Sequence, residues 1–171
     1  MVKPLSTLLA IVTAVVALTA AVSFAAPPKA TRSAEPSYLP DAAASRIVTV
    51  TETGQVGAAV TVLTEAVAIK ETGPPATVAH FGEVYAFSPA FIAVRRDEPT
   101  EISFWNLQPD DDHDFMLVGP DSNVLMKVLL PALRKTPYVF TFHEEGLFTF
   151  YCTMHQPEMS GQILVLPSRP R

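Results

Sequence analysis

Between residues 76 and 166, apolar residues recur at every second position in short runs, with turn-forming residues between the runs. This pattern predicts strands over residues 77–81, 84–87, 91–94, 100–106, 113–118, 138–142, 147–151 and 162–166. Within 100–106, Ile102 and Phe104 share one face with Asn106. Residues 124–130 fit either a strand or a short helical piece. Gly73-Pro74-Pro75 is the strongest internal break, and 95–99, 119–121 and 143–146 read as turns. Strands this short, at near-regular spacing, predict an all-β protein with a Greek-key antiparallel β-sandwich. Trp105, Phe115, Tyr138, Phe140, Phe142, Phe148 and Phe150 are expected to fill its core.

The pattern before residue 76 is different. Lys3 precedes an apolar run over 5–22, and Ser23-Phe24-Ala25 resembles a small-residue cleavage site. Residues 1–25 therefore read as a signal peptide, or as a membrane anchor if uncleaved. Both alternatives put the remainder outside the cytoplasm, in the periplasm for a bacterial protein. Residues 26–45 are rich in Pro, Ala and Ser and are expected to form a disordered linker. Residues 46–75 read as an N-terminal strand extension. There 47–51 alternates, while in 58–70 neither period dominates and β-branched Val60, Val62, Val67 and Ile69 favour a strand. The sandwich domain is expected to span 76–166, with 167–171 as a tail.

Composition narrows the function. The 171 residues carry 12 Lys+Arg against 17 Asp+Glu, a formal net charge of -5. Nucleic acid is thereby excluded as a main partner, because phosphate binding needs a basic footprint. The single cysteine cannot form an intramolecular disulfide. No Gly-rich phosphate loop, HExxH or nucleophile elbow is present.

The chemistry concentrates in residues 151–159, which hold the only cysteine, one of four histidines and two of five methionines. Thiolate, imidazole and thioether donors together suit copper. Cys152, His155 and Met159 lie on a loop short enough for all three side chains to face one point. A further imidazole has to come from elsewhere, and His113, which opens a strand after an exposed loop, is the candidate. A free thiol outside the cytoplasm is an oxidation liability that ligation would remove. Met154 faces away by spacing and reads as packing, and His143 reads as solvated. Asp110, Asp111, Asp112 and Asp114 crowd around His113, either as a solvated turn or as an acidic face that steers a basic partner.

The series Pro89, Phe91-Ile92, Asn106, His113-Asp114-Phe115, Phe140-Thr141-Phe142, Gly146, Phe148-Thr149-Phe150-Tyr151-Cys152, His155, Met159, Gly161, Ile163 and Val165 resembles the cupredoxins. The resemblance covers 76–166 and is strongest to the branch of plastocyanin, amicyanin and the copper domains of cytochrome oxidase subunit II and nitrous oxide reductase. It implies a blue-copper-like domain holding one copper ion on His113, Cys152, His155 and Met159. It also implies electron transport without enzymatic activity, with a cytochrome or oxidase as redox partner. The alternative is a copper-binding tolerance or delivery protein, whose partner would be a copper-handling protein. A small redox enzyme with an open coordination position is a third reading. Contact with the membrane is expected only if the N-terminal segment is uncleaved.

The chain departs from the family pattern in three places. Thr153-Met154 supplies no second cysteine, so the resemblance extends to one copper and not two. The gap between His155 and Met159 differs from the common ones, which leaves Glu158 or an open position as alternatives at the axial place. Asp114 stands where Asn or Ser is frequent, and its carboxylate is expected to accept N–H groups of the ligand loop. Cupredoxins with an oxygen ligand make His80 or Glu83 a further candidate.

Overall fold

The structure, a computed structural model, describes residues 37–170. The expected signal peptide and the first part of the expected linker lie outside these residues. Among the described residues, no helix is long and apolar enough to cross a membrane.

Among the described residues ten strands follow one another: β1 (Val48–Thr51), β2 (Ala58–Ala68), β3 (Val84–Ser88), β4 (Phe91–Arg95), β5 (Thr100–Asn106), β6 (His113–Val118), β7 (Val124–Leu130), β8 (Lys135–Phe142), β9 (Gly146–Tyr151) and β10 (Ser160–Leu166). They form two five-stranded sheets, in the orders β1-β8-β5-β2-β3 and β4-β10-β9-β6-β7. The all-β sandwich expected from the alternation is the fold observed. It is not purely antiparallel, because β2 runs parallel to β5 and β4 parallel to β10.

The core follows from the period-two pattern. Most strands turn alternate apolar residues inward, while β7 buries residues 125–128 in succession. Val48 and Val50, Tyr85 and Phe87, Ile102 and Phe104, and Phe140 and Phe142 come from one sheet. Ile92 and Val94, Phe115 and Leu117, Phe148 and Phe150, and Ile163 and Val165 come from the other. Aromatic rings join the layers, with Phe115 against Phe104 at 4.5 Å between centroids and Phe87 against Phe150 at 5.3 Å. Trp105 is the exception among the aromatics assigned to the core: it is 44% exposed. On β5 it occupies the parity opposite to buried Ile102 and Phe104, so the same alternation that buries them turns it out.

Three other expectations are corrected. Residues 77–81 are not a strand but belong to a short helix, α1 (Pro75–Phe81). Pro75 sits at the first helical position, where its missing N–H costs nothing and its fixed φ suits a helix. Gly82, at φ 81°, ends it. The strands expected within residues 46–75 are present, but they are part of the sandwich and not an extension preceding it: β2 lies inside its sheet between β5 and β3, and β1 pairs with β8. The linker assignment also fails for residues 37–45. Tyr38 and Lys127 exchange backbone hydrogen bonds, and the Leu129 N–H donates to Ser37 Oγ. Asp41 Oδ1 accepts from the N–H groups of Ala43 and Ala44 and turns the chain into a 3-10 turn over Ala44–Arg46. Edge pairing of this kind needs no apolar periodicity.

Candidate metal centre

Three elements converge at one end of the sandwich. His113 is the first residue of β6, and β9 delivers Cys152 immediately after Tyr151. Because β6 and β9 are antiparallel with Met116 opposite Tyr151, the start of β6 meets the loop that leaves β9. That loop is closed by its own backbone: the Cys152 N–H donates to Met159 O at 2.9 Å and the Met159 N–H to His155 O at 2.9 Å. β10 then returns alongside β9 with Ser160 opposite Tyr151.

The result is a triangle of donors. His113 Nδ1 lies 3.2 Å from His155 Nδ1, Cys152 Sγ lies 3.6 Å from His155 Nδ1, and Cys152 Sγ lies 4.0 Å from His113 Nδ1. By plane geometry the point equidistant from these three atoms lies about 2.1 Å from each, close to the usual metal distances of about 2.0–2.1 Å to imidazole nitrogen and about 2.3 Å to thiolate sulfur. The donor set and its spacing fit one such ion. His113 and Cys152 are buried, while His155 is half-buried at the edge. Met159 is fully buried, and its backbone closes the loop.

The surroundings hold these donors in place. Asp114 Oδ1 accepts the Thr153 N–H at 2.6 Å, and Oδ2 accepts the Thr153 hydroxyl. The expected bond from this carboxylate to the ligand loop is therefore present. Asp114 is itself buried, as is Lys127, whose Nζ lies 3.3 Å from Asp114 Oδ2. Tyr85 of β3 packs against both imidazoles, with ring centroids 4.9 Å from His113 and 4.6 Å from His155. Its hydroxyl donates to Asp111 Oδ2 at 2.6 Å. Asp112 Oδ1 accepts the Ala132 N–H. The acidic run is thus not one solvated face: Asp114 is internal and Asp111 and Asp112 hold neighbouring elements, while Asp110 is exposed.

Burial sets the protonation of the metal-free donors. It pushes the Cys152 thiol up to about 11 and the His113 imidazole down to about 4, and it lowers His155 as well. At neutral pH both imidazoles are neutral with lone pairs available, and the thiol has a proton to release on ligation. His113 Nε2 is buried with no hydrogen-bond partner, a cost of about 1–3 kcal/mol that accompanies this placement of Nδ1.

One consequence is measurable in the metal-free protein. The folded state refuses a proton at His113 that the unfolded chain accepts below about pH 6.5. The depressed value makes the associated stability fully present above that pH, and it is lost as pH falls through about 4. Urea midpoints should therefore drop across this window, as the unfolding free energy falls by up to about 1.4 kcal/mol per pH unit per titrating group. A flat profile from pH 7 to 4 would contradict it.

The remaining candidates lie elsewhere. His80 is exposed on α1 and stacks edge-on against Phe81. Glu83 accepts from the Lys70 N–H and lies 3.9 Å from Lys70 Nζ. Neither belongs to the donor cluster found among the described residues. His143 is exposed, with Thr49 Oγ1 at 2.9 Å and Asp97 Oδ1 at 3.0 Å, and Met154 packs against the core. Tyr85 and Lys127 had not been marked by the sequence. The only hint of Lys127 is a lone cation inside the apolar run of 124–130.

No family model and no curated protein matches the sequence. Among solved structures, auracyanin A, a "blue" copper protein from Chloroflexus aurantiacus, is 18% identical with a TM-score of 0.44, covering 64% of this chain and 100% of that one. Auracyanin from Roseiflexus castenholzii is 15% identical with a TM-score of 0.47, covering 67% of this chain and 100% of that one. A multicopper oxidase is 14% identical with a TM-score of 0.48, covering 66% of this chain and 45% of that one.

Proposed function

We propose that this chain is a mononuclear copper protein that works outside the cytoplasm as a one-electron carrier. His113, Cys152, His155 and Met159 would hold the ion. The observation that carries this reading is the donor triangle itself: two imidazole nitrogens and one cysteine sulfur, sized for one metal ion, of the type preferred by blue copper. A bound copper ion supplies a couple between Cu(I) and Cu(II).

The protein's part is to keep the donors where they are in both states. His113 is fixed by the β6 ladder, and Cys152 by its N–H bond to Met159 O. Thr153, the residue after Cys152, is held twice by Asp114. Donors that do not move between states need little reorganisation. His155 is the most exposed of the three and is the natural place for an electron to leave toward a cytochrome or an oxidase. No catalytic residue is assigned, and the N-terminal segment supports export.

Voltammetry separates this reading from copper tolerance or delivery. The copper-loaded protein should show a reversible one-electron wave and exchange electrons with a small cytochrome, while retaining its metal against a Cu(I) chelator. Loss of copper to the chelator faster than electron exchange would favour handling.

A further inference from the structure

Charged side chains are rarely buried unless paired, and Asp114 and Lys127 are 3% and 5% exposed. Their ion pair, 3.3 Å from Lys127 Nζ to Asp114 Oδ2, lies directly beneath the ligand loop. Stability alone is a weak reason for such a pair, since removing two ions from water costs several kcal/mol each and apolar replacements are often as stable. The carboxylate does more than meet the lysine, because its oxygens also accept the Thr153 N–H and hydroxyl. One side chain thus links the residue after His113 to the residue after Cys152. The lysine is enclosed as well: its strand β7 would be a sheet edge, but Tyr38 pairs with Lys127 in both directions and covers it.

We propose that Asp114 and Lys127 act as one positioning unit for the metal centre, in which the carboxylate holds the ligand loop and the ammonium cancels its charge, so that the pair fixes the electrostatic offset at the copper site. The charge is felt there. Asp114 follows His113 directly in the chain, and its carboxylate bonds Thr153, the residue after Cys152, so the charge stands one residue from two of the three donors. An uncancelled charge beneath a site that changes by one unit on electron transfer must shift its potential, and the two members must shift it in opposite directions.

This inference rests on the copper reading, and the experiment keeps the two apart. Reduction potentials are compared for copper-loaded wild type, Asp114→Asn, Lys127→Met, Lys127→Arg and the Asp114→Asn/Lys127→Met double variant. Asp114→Asn leaves the cation and should raise the potential, because Cu(I) is then favoured. Lys127→Met leaves the anion and should lower it, while Lys127→Arg and the uncharged double variant should stay near wild type. Single variants that shift in the same direction, or not at all, overturn the proposal. The double variant removes both buried ions together, so it remains a test even if a single variant fails to fold. If the wild type gives no copper wave, the function reading has failed and metal-free amide exchange decides: Thr153 should be protected in wild type and exchange at least tenfold faster in Asp114→Ala. Equal protection there overturns the positioning role.

Discussion

Phe115→Ala is expected to lower the stability of the fold by about 3–5 kcal/mol, the usual range for deleting a fully buried aromatic. Four rings surround Phe115: Phe104 at 4.5 Å, Phe150 at 5.2 Å, Phe140 at 6.0 Å and Phe87 at 6.5 Å between centroids. Phe87, Phe104 and Phe140 belong to the facing sheet and Phe150 to the neighbouring strand, so the void would open at the junction of the two layers. None of the four can swing in without leaving contacts of its own. The effect should appear as a lower denaturant midpoint with an unchanged slope, and as a fall in Tm of about 10–20 °C. A loss below about 1 kcal/mol would show that the core collapses around the gap. Phe115 stands two residues from His113 on the same strand face, so metal affinity should weaken alongside stability.

Gly161→Ala should be comparably damaging for a different reason. A Cβ on Gly161 would lie on the Phe150 ring and on the backbone carbonyl of Ala90. The ring can shift only into the packed core, and the carbonyl cannot shift without bending the chain that receives the Gln162 N–H. Overpacking of this sort costs about 1–3 kcal/mol, and contact with backbone puts this position at the upper end. Gly161 follows Met159 by two residues, and β10 begins at Ser160. The strain therefore falls on the strand that closes the ligand loop. Thermal unfolding and copper affinity should both suffer, and wild-type values for both would refute the close approach.

These two positions also show what was legible in the sequence. Phe115, Phe140, Phe142, Phe148 and Phe150 are buried, as alternation required, because a strand with one face on a core has only one place for them. The same rule, applied to residues 77–81, gave a strand where α1 forms. That segment has no buried residue and presents no face to a core. Its conformation is set locally, by Pro75 at one end and Gly82 at the other. The place of β2 was hidden for the opposite reason. Its neighbours β5 and β3 lie later in the chain, and the pattern of one strand does not state which strand it will join.

Cys152, His155 and His113, which the structure groups together, could be singled out because thiol and imidazole donors are scarce in this chain and their residue types carry their chemistry openly. Asp114 was readable too, being adjacent to one donor and aimed at the loop of another. Tyr85 and Lys127 were not. They reach the centre from β3 and β7, through sheet pairing and inter-sheet packing that no local motif encodes.

Loading the protein with Cu(II) and recording visible absorption and EPR, with Cys152→Ser as the control, tests the central claim most directly. The account predicts one copper per chain, an intense thiolate-to-copper band and a narrow copper hyperfine splitting, all lost in Cys152→Ser. A weak visible spectrum with wide hyperfine splitting, unchanged by the substitution, would contradict it.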